Sequence, residues 1–435
     1  MIKFLISYIL VLLVFLMKPS IPNDEWPDWR GPGRDGIWHE DGIIKEFDTD
    51  QIKIKWLVPV NAGYSGPTIE DGRVYLTDRI SRPEELERVL CFDAKNGNEI
   101  WSYSYACEYV GVGYPAGPRS SVIIDGDHAY SLGTMGHLFC FDKKNGQVEW
   151  SKDLNKEYRI RMPIWGIAAA PLIVEEKIIL NIGGSDNGCV VALNKNTGRE
   201  IWRNLEDDAS YAAPILINQA GRPVVVVWTG QNVVGLSPDN GELFWKIEFV
   251  QKQMIINIST PVLYNNHLFV SSFFDGAMVI KLSNTNHSAE KVWFRGGENE
   301  RNTDALHCCI STPVILDGYV YGVDSYGELR CLDLLTGDRI WEDLTAVKRA
   351  RWANIHFVQN KDLIYMFNEN GELIIARLSK EGFDEIDRAK LIEPTKEQLN
   401  RGGVGVTWAH PGFAYKHVFI RSDTELVCAD LSEQF

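Results

Sequence analysis

CFDAKNGNEIW, residues 91–101, returns almost letter for letter as CFDKKNGQVEW, residues 140–150. Three positions of this phrase recur along the chain: an Asp or polar substitute, a Gly four residues on, and a Trp four beyond that. They stand at Asp93, Gly97 and Trp101; Asp142, Gly146 and Trp150; Asn194, Gly198 and Trp202; Ser237, Gly241 and Trp245; and Asp333, Gly337 and Trp341. The spacing describes a hairpin. The Asp side chain accepts from turn amides, the Gly supplies a positive φ, and the Trp carries a large ring into the contact with a neighbouring unit. Before each phrase lies a β-rich run such as RVYLTD, KIILNIG or YVYGVD, and before most of these a residue–Pro step: Gly66-Pro67, Ala170-Pro171, Ala213-Pro214, Thr260-Pro261, Thr312-Pro313 and His410-Pro411. The runs alternate with period 2 and carry no 3.6-residue pattern, which excludes a helical solenoid.

The unit is therefore three strands closed by a fourth that ends on Trp, and successive Trp from 101 to 341 fall 43 to 52 residues apart. That is the length of a four-stranded propeller blade. Two units are degenerate: SNTNHSAEKVW before Trp293 lacks the turn Gly, and SKEGFDEIDRAKL around Gly382 lacks the Trp. The last unit has three strands and then ends, and IKIKWLVPV, residues 52–60, can supply the fourth with Trp56 in register. The expected fold is all-β, an eight-bladed propeller whose N-terminal strand completes the C-terminal blade. Such closure leaves no long exposed edge.

Composition agrees with a folded globular chain: 435 residues, 45% hydrophobic and 24% charged. A net charge of -15 argues against a surface that follows nucleic-acid phosphates. FLISYILVLLVFLM, residues 4–17, lies between Lys3 and Lys18 and reads as a secretory signal or an N-terminal membrane anchor. Residues 1–25 are thus assigned to export or anchoring and 26–435 to the propeller, with an extracytoplasmic location, periplasmic or secreted.

With FDAKNGNEIW, LNKNTGREIW and LDLLTGDRIW in view, the chain resembles the PQQ-repeat propellers. That superfamily includes quinoprotein alcohol dehydrogenases and the propeller protein of the outer-membrane barrel-assembly machinery. WPDWRGPGRDG, residues 26–36, is also similar to the opening of the mature chain in many exported bacterial members. The resemblance implies the fold directly; for function it implies either a dehydrogenase using pyrroloquinoline quinone with calcium or a non-catalytic scaffold. The dehydrogenases carry a vicinal disulfide over the cofactor, and Cys308-Cys309 precedes a blade here; two reduced thiols is the alternative. Their calcium-binding Glu, Asn and Asp have no counterpart in matching context, and Asp304 near the pair does not supply one. The expectation is a non-catalytic binding or scaffold protein of the cell envelope with no cofactor, the quinone dehydrogenase being the alternative.

Function is expected where the repeats differ, in the loops leading into each blade around the central channel. Three residues before the Pro position stand Tyr64, Tyr211, Trp352 and Trp408, with Trp165 and the cations Arg119, Arg159, Arg161, Lys348, Arg349 and Arg351 nearby. An aromatic, cationic mouth would suit a protein, peptide, anionic or glycan partner through stacking and guanidinium bonds. In the competing reading the aromatics plug the channel and the arginines are solvated or paired with Glu206, Asp207 and Asp208. His307, His356 and His410 fall in consecutive units and raise the question of a metal, but spacing alone supplies no ligand set, and none is assigned. GVGYPAG, residues 111–117, lacks a following helix and reads as a flexible loop, not a dinucleotide fingerprint. Cys91, Cys140, Cys331 and Cys428 share one third-strand position with Ala192 and Gly235, so a small core residue is what that site asks for. Cys107 and Cys189 have no assigned role.

Overall fold

In a computed structural model, which describes residues 24–49, 51–249 and 251–433, eight four-stranded antiparallel sheets succeed one another around a ring. Blades 1 to 7 comprise residues 68–106, 123–153, 172–204, 215–248, 262–295, 314–343 and 355–390. Blade 8 takes three strands from residues 412–430 and its outermost strand from Ile54–Pro59. The closing strand forms as expected, slightly shorter than residues 52–60, with Trp56 opposite Cys428. Innermost strands of adjacent blades touch, including Thr68–Glu70 of blade 1 with Gly412–Ala414 of blade 8, which closes the circle. The one helix among the described residues is Leu154–Tyr158, and no described helix is long and apolar enough to cross a membrane. The apolar run at residues 4–17 lies outside the described residues.

The repeated phrase works between blades as well as within them. Asp93 Oδ1 accepts from the amides of Lys95 and Asn96, and Gly97 takes φ +75°. That same Gly lies against the Trp of the preceding blade: a Cβ on Gly97 would meet the Trp56 ring at 2.8 Å, and one on Gly146 would meet Trp101 at 2.6 Å. Each ring also donates its Nε1 proton to the carbonyl just after the next blade's Asp position. Trp56 reaches Ala94 O at 2.9 Å, Trp101 reaches Lys143 O at 3.0 Å and Trp150 reaches Lys195 O at 2.9 Å. Gly is therefore demanded twice, by the left-handed turn and by the neighbour's indole.

Where the phrase decays, the contact is rerouted. Blade 5's hairpin has no Gly, and Trp245 of blade 4 turns instead to Gln219 Oε1 of its own blade at 2.9 Å. Gln219 Nε2 then donates to Ser288 O of blade 5 at 2.7 Å. The third-strand position is small for a related reason, because it faces the Trp directly: Cys91, Cys140, Ala192, Gly235, Cys331 and Cys428 each pair with the Trp of the strand beside them. Val279 holds the position in blade 5, opposite Trp293, so the requirement is modest size and not strictly Cys, Ala or Gly. Of the two unassigned cysteines, Cys107 has its Sγ 3.8 Å from His137 Nδ1, and Cys189 is buried against Asn181 and the Asp208 carbonyl.

Candidate functional site

Residues 24–49, which precede the first blade, cross one end of the central channel. Their backbone or side chains hydrogen-bond to seven of the eight blades or the segments leading into them. Trp26 exchanges backbone bonds with Ile69 of blade 1, Pro27 O accepts from Ile124 N of blade 2, and Trp38 N donates to Gln359 O of blade 7. Ile44 N donates to Leu431 O at the end of blade 8. Arg34, held by Asp28 at 2.8 Å, donates to the carbonyls of Pro171 and Pro214 ahead of blades 3 and 4. Trp29 donates through Nε1 to Thr260 Oγ1 ahead of blade 5 at 2.9 Å and lies 5.2 Å from the His410 ring. Trp29 thus forms a floor, and the channel above it is a blind cavity of about 490 Å³.

The cavity wall follows the blade register. Tyr64, Arg119, Ala168, Tyr211, Ile258, Ile310 and Trp408 each stand three residues before the Pro position of a blade, counted as the residue preceding its first strand, and all face the cavity. In blade 7, where no Pro is present, Arg351 and Trp352 both line it. The blade strands fix the direction of these side chains, because each sits at the same offset from the start of an innermost strand. Longer loops complete the upper wall with Tyr114, Ile164, Trp165 and Met254. Gly113, in the loop at residues 111–117, lets that wall close, its amide bonding the Ile164 carbonyl at 2.7 Å.

Of the residues expected at the mouth, Tyr64, Arg119, Trp165, Tyr211, Arg351, Trp352 and Trp408 are brought together. Arg159 and Arg161 are not. Their side chains are 68% and 55% exposed and pair with Asp186 and Asp208, so the cationic ring is corrected to two guanidiniums. Arg349, also outside the wall, pairs with Glu328 at 3.3 Å. Arg351 pairs with Glu300 at 2.5 Å and stacks over Trp352 at 4.4 Å; the Glu300 bond raises its pKa. Arg119 stacks over Tyr64 at 4.9 Å and donates to the carbonyls of Gly113, Tyr114 and Gly117. Burial lowers the Arg119 pKa and lifts that of Tyr211 to about 12, so the Tyr211 phenol keeps its proton at neutral pH. With only backbone carbonyls as hydrogen-bond partners, Arg119 is the cation on this wall whose charge is not matched by a bonded carboxylate.

The three histidines do not converge. His307 Nδ1 donates to Phe273 O at 3.0 Å while its Nε2 accepts from Gly297 N at 3.1 Å, so both ring nitrogens are engaged. The His356 and His410 ring centroids lie 4.8 Å apart with the planes tilted by 54°, but His356 Nε2 bonds Trp408 O and His410 Nδ1 bonds Pro411 O. Cys308 and Cys309 carry free thiols and lie in the loop before blade 6, Cys309 on the cavity wall. Burial pushes the thiol of Cys309 up to about 12.

A family profile described as outer membrane protein assembly factor BamB matches residues 39–180 and 87–343. The chain belongs to this PQQ-repeat propeller family. Outer membrane protein assembly factor BamB of Yersinia pestis is 25% identical over 203 residues, 44% of this chain and 46% of that protein. The corresponding protein of Shewanella oneidensis is 25% identical over 196 residues, 44% of this chain and 48% of that protein. The chain thus spans about half the length of the curated relatives it matches. Among solved structures, BamB from Moraxella catarrhalis has a TM-score of 0.59 at 14% identity, covering 87% of this chain and 99% of that one. Quinohemoprotein alcohol dehydrogenase from Comamonas testosteroni has a TM-score of 0.62 at 12% identity, covering 95% and 81%. At such identities the likeness shows the fold alone.

The quinone of the second group can be tested against the wall itself. Calcium takes oxygen ligands, carboxylates above all, and a quinone cofactor needs oriented polar partners. No Asp, Glu, Asn or Gln side chain is among the described residues lining this cavity. The donor set does not fit pyrroloquinoline quinone with calcium.

Proposed function

We propose that this chain is a non-catalytic, extracytoplasmic binding or scaffold propeller that takes an apolar, aromatic-bearing segment of a protein partner into its channel mouth. One observation carries the reading: the channel ends on Trp29 and leaves a blind cavity of about 490 Å³ walled by aromatic and aliphatic side chains. That volume accommodates one or two large side chains, and such cavities favour insertion of apolar anchors. The loops around it also expose Val110, Ile164, Met254 and Val404, extending apolar surface beyond the mouth. Arg119 offers a place for a carboxylate or main-chain carbonyl beside the inserted group. Export is supported by the apolar run at residues 4–17 between Lys3 and Lys18 and by membership of the outer membrane protein assembly factor BamB family.

A titration of intrinsic Trp fluorescence with a short peptide of adjacent aromatic residues tests the cavity. Saturable quenching is expected, weakened about tenfold or more by Trp352→Ala, in line with loss of a central aromatic contact. The absence of any saturable change would remove the binding reading. The enzyme reading has its own assay: dye reduction by alcohols or sugars after addition of pyrroloquinoline quinone and calcium would overturn the non-catalytic assignment.

A further inference from the structure

Blade 2 departs from its siblings at one spot on its outer strands. In six blades the residue bulged out beside the third strand is apolar: Ile100, Ile201, Phe244, Val292, Ile340 and Ile386. Blade 2 has Glu149 there. Its Oε2 lies 2.8 Å from His128 Nε2, and a ligand atom from each of His128, Cys140 and Glu149 lies within 4.8 Å of the others. We propose that these three side chains bind a thiophilic divalent transition-metal ion of the zinc type, outside the channel and independent of it.

The chemistry of the set is specific. A thiolate, an imidazole and a carboxylate are the donor types zinc accepts in four-coordinate sites, and three protein ligands leave the fourth position to water. The His128 and Glu149 side chains are 21% and 39% accessible, so an ion can reach the site from solvent, while Cys140 is buried beneath them. The strands pre-set the spacing: Cys140 pairs with Tyr130, two residues from His128 and on the same face, and with Trp150, next to Glu149. Beside Cys140, the buried Tyr130 hydroxyl lacks a backbone partner and meets the Cys140 side chain instead. In blade 1 the equivalent Tyr75 hydroxyl donates to Lys143 O at 3.1 Å.

The repeat supplies internal controls. The same register holds Arg73, Cys91 and Ile100 in blade 1, and Tyr319, Cys331 and Ile340 in blade 6. In blade 8 it holds His417, Cys428 and Lys55. Each has the Cys, but none has both a His and a carboxylate, and Lys55 would repel a cation. Blades 3 and 5 place Ala192 and Val279 at the Cys position, so the fold already tolerates its replacement.

Cobalt(II) titration of the purified, metal-stripped protein tests the site through thiolate-to-metal charge-transfer absorbance. One equivalent is expected to give the band in the wild type and in Cys428→Ala, and none in Cys140→Ala. Glu149→Ile, which restores the residue type of the other blades, is expected to weaken cobalt binding tenfold or more with unchanged circular dichroism. A wild type without the band, a band that survives Cys140→Ala, or an affinity unchanged in Glu149→Ile would each overturn the proposal.

Discussion

At the scale of single residues, the hairpin glycines separate two demands that usually travel together. Gly146 has φ +73° and its missing Cβ leaves room for Trp101; Gly126 has φ +63° and open space around it. Gly126→Ala is expected to cost about 1–2 kcal/mol for the left-handed backbone alone, and Gly146→Ala clearly more because the indole must also move. Urea midpoints of the two variants measure the difference. The buried His356 and His410 give a pH signature. Burial pushes the pKa of His356 down to about 4, and that of His410 well below the ordinary 6.5. The unfolded chain binds protons that the fold refuses, so the stability from neutral rings is intact above about pH 6.5 and is lost as the pH falls toward the folded values. Burial raises the carboxyl pKa of Glu25, Glu40 and Glu70, which works in the opposite direction in acid. The histidine share is therefore read as a difference: His356→Gln should show a shallower loss of melting temperature between pH 7 and pH 5 than the wild type. At this scale the sequence showed the cavity residues that obey blade register, Tyr64, Tyr211 and Trp408 among them. Arg161 pairs with Asp208, as the competing reading had it, while Arg159 turns to Asp186, a pairing that no repeat encodes.

At the scale of strands and blades, the Trp contacts grade the ring. Trp56 is buried, bonded to Ala94 and seated on Gly97. Trp341 also has a carbonyl partner, Ser379 O at 2.9 Å, but it is only partly buried and the Gly382 that follows leaves open space. Trp56→Ala should lower stability by about 3–5 kcal/mol, and Trp341→Ala by a smaller amount, as chemical denaturation of the two variants will show. The closing strand was readable because Trp56 repeats the signal of every other blade. The use of Gln219 to bridge blades 4 and 5 was not, since a lone glutamine has no period.

For the whole molecule, the segment at residues 24–49 was the element least accessible to sequence reasoning. WPDWRGPGRDG carries no strand alternation and no repeat, and its place is set by long-range bonds such as Trp29 to Thr260 and Arg34 to Pro214. Trp29→Ala should remove the cavity floor, raising uptake of an apolar fluorescent dye while lowering the melting temperature; unchanged dye binding would mean that the channel is closed by other residues. The same long reach has a consequence during synthesis. Ile54–Pro59 is made about 370 residues before its ladder partner among the described residues, the strand Glu425–Asp430, so the ring cannot shut until that strand has been made. Nascent chains must carry an unpaired edge through that interval, and an unpaired strand edge is what makes an unfinished sheet prone to aggregate.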